Sequence, residues 1–233
     1  MNDPPTPARS TYHHGDLRNA LVQAGIDLAD AGGPEAVGVR AAARQVGVTP
    51  TAAYRHFTDA DDLMHAVRTC ALDMLVEAVV EDVDRLGGPS PDPAVDAVRK
   101  LAAMGRAYVG NGLEHPGLFR ASFGSGELGM PRGEEARQGA FGALNAVLDT
   151  LVTVGFLDPA RRPTATVDAW AAVHGFVHLV IDGPLADLPD EALHVARESV
   201  LEMTIRGLCR TDSPLFARLD EILASPAAST DSA

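Results

Sequence analysis

Apolar residues recur along this chain at intervals of three and four. Leu17, Leu21, Ala24 and Leu28 fall on one stripe of a first amphipathic helix. Gly32, Gly33 and Pro34 stop it. Val39, Ala43 and Val46 make one face of a short second helix, and Gly47 follows where the chain must turn sharply. Glycine takes positive φ there without a Cβ clash. Thr49 suits the N-cap of a third helix and Pro50 its first position, where an N–H would be orphaned in any case. That helix is expected to end near Phe57. Thr58 and Asp59 then offer caps for a long fourth helix, which carries Leu63, Val67, Cys70 and Met74 on one stripe and runs to about Leu86.

Five more helical stretches follow Gly87-Gly88-Pro89, at roughly 93–112, 116–125, 131–155, 163–182 and 189–210. Each opens at or near a proline, and several close near a glycine. A short helix is possible after Asp212, before a Ser/Ala tail. No segment alternates for long enough to make a strand. The pattern predicts an all-α chain of about nine main helices, four before Gly88 and five after it. Residues 1–14 form a Pro-rich, flexible arm. The expected units are a head at 15–62, a larger helical-bundle body at 63–211 and a tail at 212–233.

Composition supports that picture. Hydrophobic residues make up 46% of the 233, enough for a sizeable core, and aromatics only 5%, which favours helices over sheets. Cys70 and Cys209 have neither metal-ligand spacing nor a disulfide framework, as expected of a reducing cytoplasm. No basic-then-apolar leader opens the chain. The longest apolar run, 13 residues from Ala169 to Ile181, holds two histidines and is too short to span a bilayer.

The net charge of −13 looks hostile to nucleic acid, but it is unevenly distributed. Residues 1–58 hold five acids and five arginines and are neutral apart from their histidines; the other 27 acids and 14 bases carry the whole excess. A contact between the N-terminal part and phosphates therefore remains open.

The stretch VGVTPTAAYRHF, residues 46–57, joins two short helices through a tight glycine turn, which is a helix-turn-helix. Ala43 fits the small position where the helices cross, and Val48, Ala53 and Phe57 complete the inner face. The outer face presents Thr49, Thr51, Tyr54, Arg55 and His56, donors that reach base edges and phosphates. The alternative is an ordinary helical hairpin with a polar face. The Thr-Pro start and the Tyr-Arg-His-Phe end favour a recognition helix for the DNA major groove.

The segment VRAAARQVGVTPTAAYRHFTDADDLMHAV, residues 39–67, resembles the DNA-binding segment of TetR-family transcriptional regulators, and the resemblance extends from Asp16 to about Val67 without a gap. It implies a three-helix, homeodomain-like head on a larger ligand-binding and dimerisation body. It implies that Arg40, Pro50, Thr51 and Ala52 face bases and that Tyr54 and His56 hold phosphates. One position departs from the pattern. The family usually has a lysine near the start of the fourth helix, against the phosphate backbone. Here that position is Ala60, flanked by Asp59, Asp61 and Asp62, so a phosphate contact is missing and repulsion is added.

In the body, Trp170, His174 and His178 are spaced by four and share a helical face, beside Gly175. The Trp-x-x-x-His-Gly pattern resembles that of a TetR subgroup with this C-terminal signature, and EHPGLFRASFG, residues 114–124, resembles its pocket-side helix. Trp170 and His174 then read as part of a ligand cavity, or alternatively as core and dimer-interface residues. Met104, Phe119, Phe123 and Phe141 supply further apolar surface for a cavity between helices. His174 and His178 form an i, i+4 pair, but no third metal ligand stands at a fixed spacing, so no metal and no cofactor is expected.

The sequence thus predicts a cytoplasmic, homodimeric regulator, a repressor released from a palindromic double-stranded DNA operator by a small-molecule effector. The apolar Val200, Leu201, Ile205 and Leu208 near the C-terminus are the expected source of a dimer interface. A helical enzyme is the rival class, but no nucleophile–base pair, glycine-rich phosphate loop or paired carboxylates support it. A helical partner- or small-molecule-binding protein with weakened DNA binding is the other, favoured by Ala60 and its acidic neighbours.

Overall fold

A computed structural model describes residues 14–123 and 139–224. Ten α-helices occur among them: α1 (His14–Gly32), α2 (Val39–Val46), α3 (Pro50–Ala53), α4 (Ala60–Asp84), α5 (Pro93–Glu114), α6 (Pro116–Phe123), α7 (Gly139–Thr153), α8 (Arg162–Ile181), α9 (Asp190–Leu208) and α10 (Leu219–Ala224). The described residues contain no strand, only one bridge pairing Leu157 with Cys209. The all-α expectation holds, with α10 added to the nine main helices. The expected helix start at Pro131 and end at Ser125 lie outside the described residues, as do the arm before His14 and the tail beyond Ala224.

The head is α1, α2 and α3 around Leu21, Ala42, Ala43, Ala53 and Phe57, all nearly inaccessible to water. Gly47 closes α2 with φ of 78°, and the Val48 N–H donates back to the Ala43 carbonyl at 2.9 Å, the left-handed cap that turns the chain into α3. Regular α-helix in α3 lasts a single turn. The chain continues to Phe57 by tighter bonds, Arg55 N–H to Ala52 O and His56 N–H to Ala53 O. The helix expected to end near Phe57 instead ends at Ala53, and a turn carries the chain on to Phe57.

The head core does not stop at the first three helices. Leu63, Met64, Val67 and Ala71 of α4 complete it, together with Leu118 and Ala121 of α6. α1 passes close to α4 at Gly25, where an added Cβ would stand 2.6 Å from Val67 Cγ2. The body is built around α5, which packs against α4, α7, α8, α9 and α10. By length and composition, the stretch 159–181 containing α8 could cross a membrane. Its Ala165, Ala169, Val173, Phe176, Val177 and Val180 are instead buried in the body, as in a core helix.

One expectation needs correction. Leu201, Ile205 and Leu208 are buried inside the chain's own core, because the inner face of α9 packs on α5 and α8. They are not available to a second subunit. The exposed apolar residues of the two last long helices are Val167 and Leu179 on α8 and Val195 and Met203 on α9.

α6 locks the head to the body. At Gly117 its backbone lies directly on the last turn of α1, where an added Cβ would collide with the Ala29 and Asp30 carbonyl oxygens. His115 Nδ1 is 3.1 Å from Asp30 Oδ2, and Arg68 Nε–H of α4 donates to the Ala121 carbonyl at 2.8 Å. On the body side, Arg120 donates to Asp182 Oδ1 at 2.7 Å and to the Ile181 carbonyl at 2.9 Å. Gly117→Ala should therefore destabilise the protein by about 1–3 kcal/mol through overpacking against backbone that cannot yield. A thermal melt checks this: Tm should fall by several degrees, and an unchanged Tm would mean that α6 does not sit on α1.

Candidate functional site: a nucleic-acid face and an internal cavity

The head presents one continuous polar face. Thr49 caps α3 by accepting a hydrogen bond from the Ala52 N–H at 3.3 Å, and Pro50 occupies the first helical position. Arg40 on α2, and Thr49, Pro50, Thr51, Tyr54 and Arg55 around α3, are all exposed; Ala52 and His56 are half-buried. Tyr54 shows 44% of its surface, unusual for a large aromatic residue with no structural work to do inside. Six of the eight residues expected to meet DNA are thus open to solvent. Arg18, which is absent from the expected set, stacks its guanidinium 5.0 Å from the Phe57 ring centre, so this cation braces the underside of the turn.

The acids at the start of α4 have structural employment. Asp59 caps the helix by accepting from the Asp62 N–H at 2.9 Å. Asp62 reaches back to accept from the Thr58 N–H at 2.9 Å. This reciprocal pair satisfies donors that the first turn leaves open. Ala60 and Asp61 stay exposed.

In the body, α4, α5, α7, α8 and α9 line a partly open cavity of about 540 Å³. Its walls are apolar, with Leu72, Val76 and Val79 from α4, Met104 from α5, Leu144 from α7 and Leu201 from α9. Of the residues expected at a ligand site, Met104, Phe123, Phe141 and Trp170 line it. Phe119 and His174 are not among its lining residues; they stand behind Tyr108 and Phe123, packed with their rings 5.2 Å apart.

Tyr108, which the sequence did not single out, connects these groups. Trp170 Nε1–H donates to the Tyr108 hydroxyl at 3.0 Å, and that hydroxyl lies 2.8 Å from His174 Nδ1. With the His174 proton on Nε2 the phenol donates to Nδ1, and with the proton on Nδ1 the direction is reversed. Burial pushes the Tyr108 hydroxyl well above its ordinary pKa. Burial, and then the neighbouring His178, hold the His174 pKa below its usual value and favour the neutral ring. Tyr108 lies four residues after Met104 on the same helix, and that spacing was the available signal. Among the described residues, no group of three or more His, Cys, Asp or Glu side chains could hold a metal ion.

Comparison with known proteins matches both parts of this arrangement. Residues 21–67 fit the sequence profile of bacterial regulatory proteins of the tetR family, and residues 101–203 that of a tetracyclin repressor-like C-terminal domain. An uncharacterised HTH-type transcriptional regulator of Mycobacterium tuberculosis is 30% identical over 180 residues, 76% of this chain and 75% of that protein. The chain belongs to the TetR family. It is accordingly a helix-turn-helix transcriptional regulator, and its solved neighbours share the fold. A Rhodococcus sp. RHA1 protein of unknown function matches with a TM-score of 0.65 at 24% identity, over 87% of this chain and 100% of its own. A TetR-family regulator from Marinobacter aquaeolei VT8 gives 0.58 at 19% identity, over 80% and 94%. RolR, solved with its ligand resorcinol, gives 0.60 at 17% identity, over 91% and 95%. Between the two profile matches lies most of α4, the helix shared by the head core and the cavity wall.

The lowered His174 pKa sets a pH dependence for this TetR-family chain. The unfolded chain, whose histidines titrate near 6.5, takes up the proton first, so this contribution to stability is lost as pH falls through about 6.5. His174→Gln, which keeps an acceptor for Tyr108, should flatten the decline of Tm between about pH 7.5 and 5.5. Identical slopes in the two proteins would show that the imidazole is not the group responsible.

Proposed function

We propose that the regulator is a homodimer that binds a two-fold operator and is released when a small molecule fills the α4–α9 cavity. One observation carries this reading: α4 serves both sites within about four turns. Leu63, Val67 and Ala71 pack in the head core, while Thr69, Leu72, Asp73 and Val76 line the cavity. A molecule that alters the tilt of α4 must move the head. It releases DNA only if it binds the DNA-incompetent arrangement more tightly, and such couplings typically amount to about 1–3 kcal/mol. That RolR was solved with an organic ligand supports the assignment of an effector to this cavity.

In this reading Arg40, Pro50, Thr51 and Ala52 face bases, and Thr49, Tyr54, Arg55 and His56 hold the backbone. Met104, Phe123, Phe141 and Trp170 contact the effector, with Phe119 and His174 supporting them from behind. The head is residues 15–62 completed by the first three turns of α4, and the body extends to about 211. The Trp170–His174–Gly175 signature and the α6 segment support membership of the subgroup that carries them, working in the cytoplasm where its DNA is.

The dimer surface is the outer face of α8 and α9. Val167, Ala171, Gly175 and Leu179 recur every fourth residue on α8, and Val195, Ser199, Met203 and Gly207 do so on α9. Val195 and Met203 leave 59% and 64% of their surface open, and added Cβ atoms at Gly175 and Gly207 would meet nothing, so a second pair of helices has room to approach. One half-site alone gives little specificity, which two heads supply.

Two experiments test the proposal. The double variant Val195→Asp, Met203→Asp should run as a 24.4 kDa monomer in light scattering where the parent runs at twice that mass, and should lose tight operator binding. A parent that is itself monomeric at micromolar concentration refutes the dimer. In mobility shifts, Arg40→Ala should lose about 1–3 kcal/mol of discrimination between operator and random duplex. Tyr54→Phe should weaken both duplexes alike, because a phosphate contact carries no sequence information. Ala60→Lys should tighten both and steepen log K against log salt by roughly 0.9, one more neutralised phosphate. A sequence preference that shifts with Tyr54 and not with Arg40 would reverse the roles.

A further inference from the structure

We infer that the cavity is built for a monocationic, largely apolar amine and against carboxylates, an inference that rests on the cavity being the effector site. Among the described residues, the polar side chains of its lining are Thr69, Asp73, Tyr108, Trp170 and Thr204. Each of their protons is already committed. Thr69 Oγ1–H donates to the His65 carbonyl at 3.0 Å and Thr204 Oγ1–H to the Val200 carbonyl at 2.7 Å, as hydroxyls on helices commonly do. Trp170 donates to Tyr108, and with His174 as the Nε2–H tautomer Tyr108 donates to His174. What remains toward the cavity is lone pairs and a carboxylate, so these side chains can accept hydrogen bonds but have none to give.

Charge points the same way. Among the described residues, Asp73, which is solvent-exposed, is the one charged side chain in the lining, and no Arg, Lys or His lines it. Asp73 makes no hydrogen bond or ion pair with a described residue. An acid ligand would meet this carboxylate without a compensating cation, in a chain whose net charge is −13. An ammonium group would instead find a counter-ion, acceptor oxygens and aromatic faces. The Phe141 and Trp170 rings stand edge to face at 5.3 Å, and Tyr108 and Phe123 have their centres 6.3 Å apart. Such rings attract a cation within about 6 Å. The remaining volume, walled by leucine, valine and isoleucine, takes the apolar body of the molecule.

The test uses three matched probes, 4-phenylbutylamine, 4-phenylbutanol and 4-phenylbutyrate, titrated into the whole chain without DNA. Trp170, the chain's single tryptophan, reports from the cavity wall by fluorescence, and calorimetry supplies the affinity. The amine should bind tightest and the acid weakest. Asp73→Asn should weaken the amine about five-fold, the size of a partly exposed ion pair, and leave the alcohol unchanged. Asp73→Glu should restore most of the loss. No saturable quenching by the amine, equal binding of all three, or an unchanged amine affinity in Asp73→Asn overturns the inference. So does a preference for phenylbutyrate, which would assign the polar end to the backbone N–H groups of Gly139, Ala140 and Phe141 at the start of α7. An amine that binds as described but leaves the operator complex intact would sink the regulator mechanism and leave the charge preference standing.

Discussion

The structure depends on the continuity of α4. A helix of 25 residues spans roughly 37 Å as a single stiff element. Its first turns bury Leu63, Val67 and Ala71 in the head, and the opposite side of the next turns walls the cavity with Leu72 and Val76. Because no proline interrupts it, nothing absorbs a change at one end before it reaches the other. α6 reinforces this constraint. Gly117 lets its backbone touch the end of α1, and Arg68 ties α4 to the Ala121 carbonyl. Head and body are joined by two helices rather than by a linker, and any rearrangement in the body has to be discrete.

The second organising feature is the Trp170–Tyr108–His174 chain, which takes three polar groups into an apolar bundle and satisfies each with the next. Buried polar groups cost free energy unless they are paired, and a paired set fixes the rotamers of everything packed on it. Phe119, Phe123 and Phe141 all stack around this set. The cavity keeps its shape because its aromatic wall is held by hydrogen bonds behind it, and the same bonds consume the protons that a carboxylate ligand would need.

The acidic start of α4 illustrates how one sequence feature serves fold and function with opposite signs. Asp59 and Asp62 stabilise the helix by capping it and by favourable interaction with its dipole. The same charges lie next to the surface that approaches phosphate. On the head, Arg40, Arg44 and Arg55 are exposed, and position 60 carries no basic residue.

Much of this was legible in the sequence because helices and tight turns are local. Three- and four-residue apolar spacing, Thr-Pro at a helix start and glycine at positive φ act over a few residues, and they fixed α1, α2, α4, α5 and the start of α3 closely, though α3 stops at Ala53 rather than near Phe57. The resemblance to TetR-family regulators rested on the same contiguous stretch. Spacing could not say which face of a helix meets which neighbour. It offered Leu201, Ile205 and Leu208 as a dimer surface because they are apolar, and only packing on α5 and α8 shows them to be interior and Val195 and Met203 to be outside. It grouped His174 with Trp170 but could not find Tyr108, 62 residues before the indole, to which a hydrogen bond joins it. The helices were determined by the sequence alone, since their bonds run between residues four apart. The cavity, its lining and the packing of α4 and α6 against both head and body were decided by tertiary structure, since they exist only where residues distant in the chain share a wall.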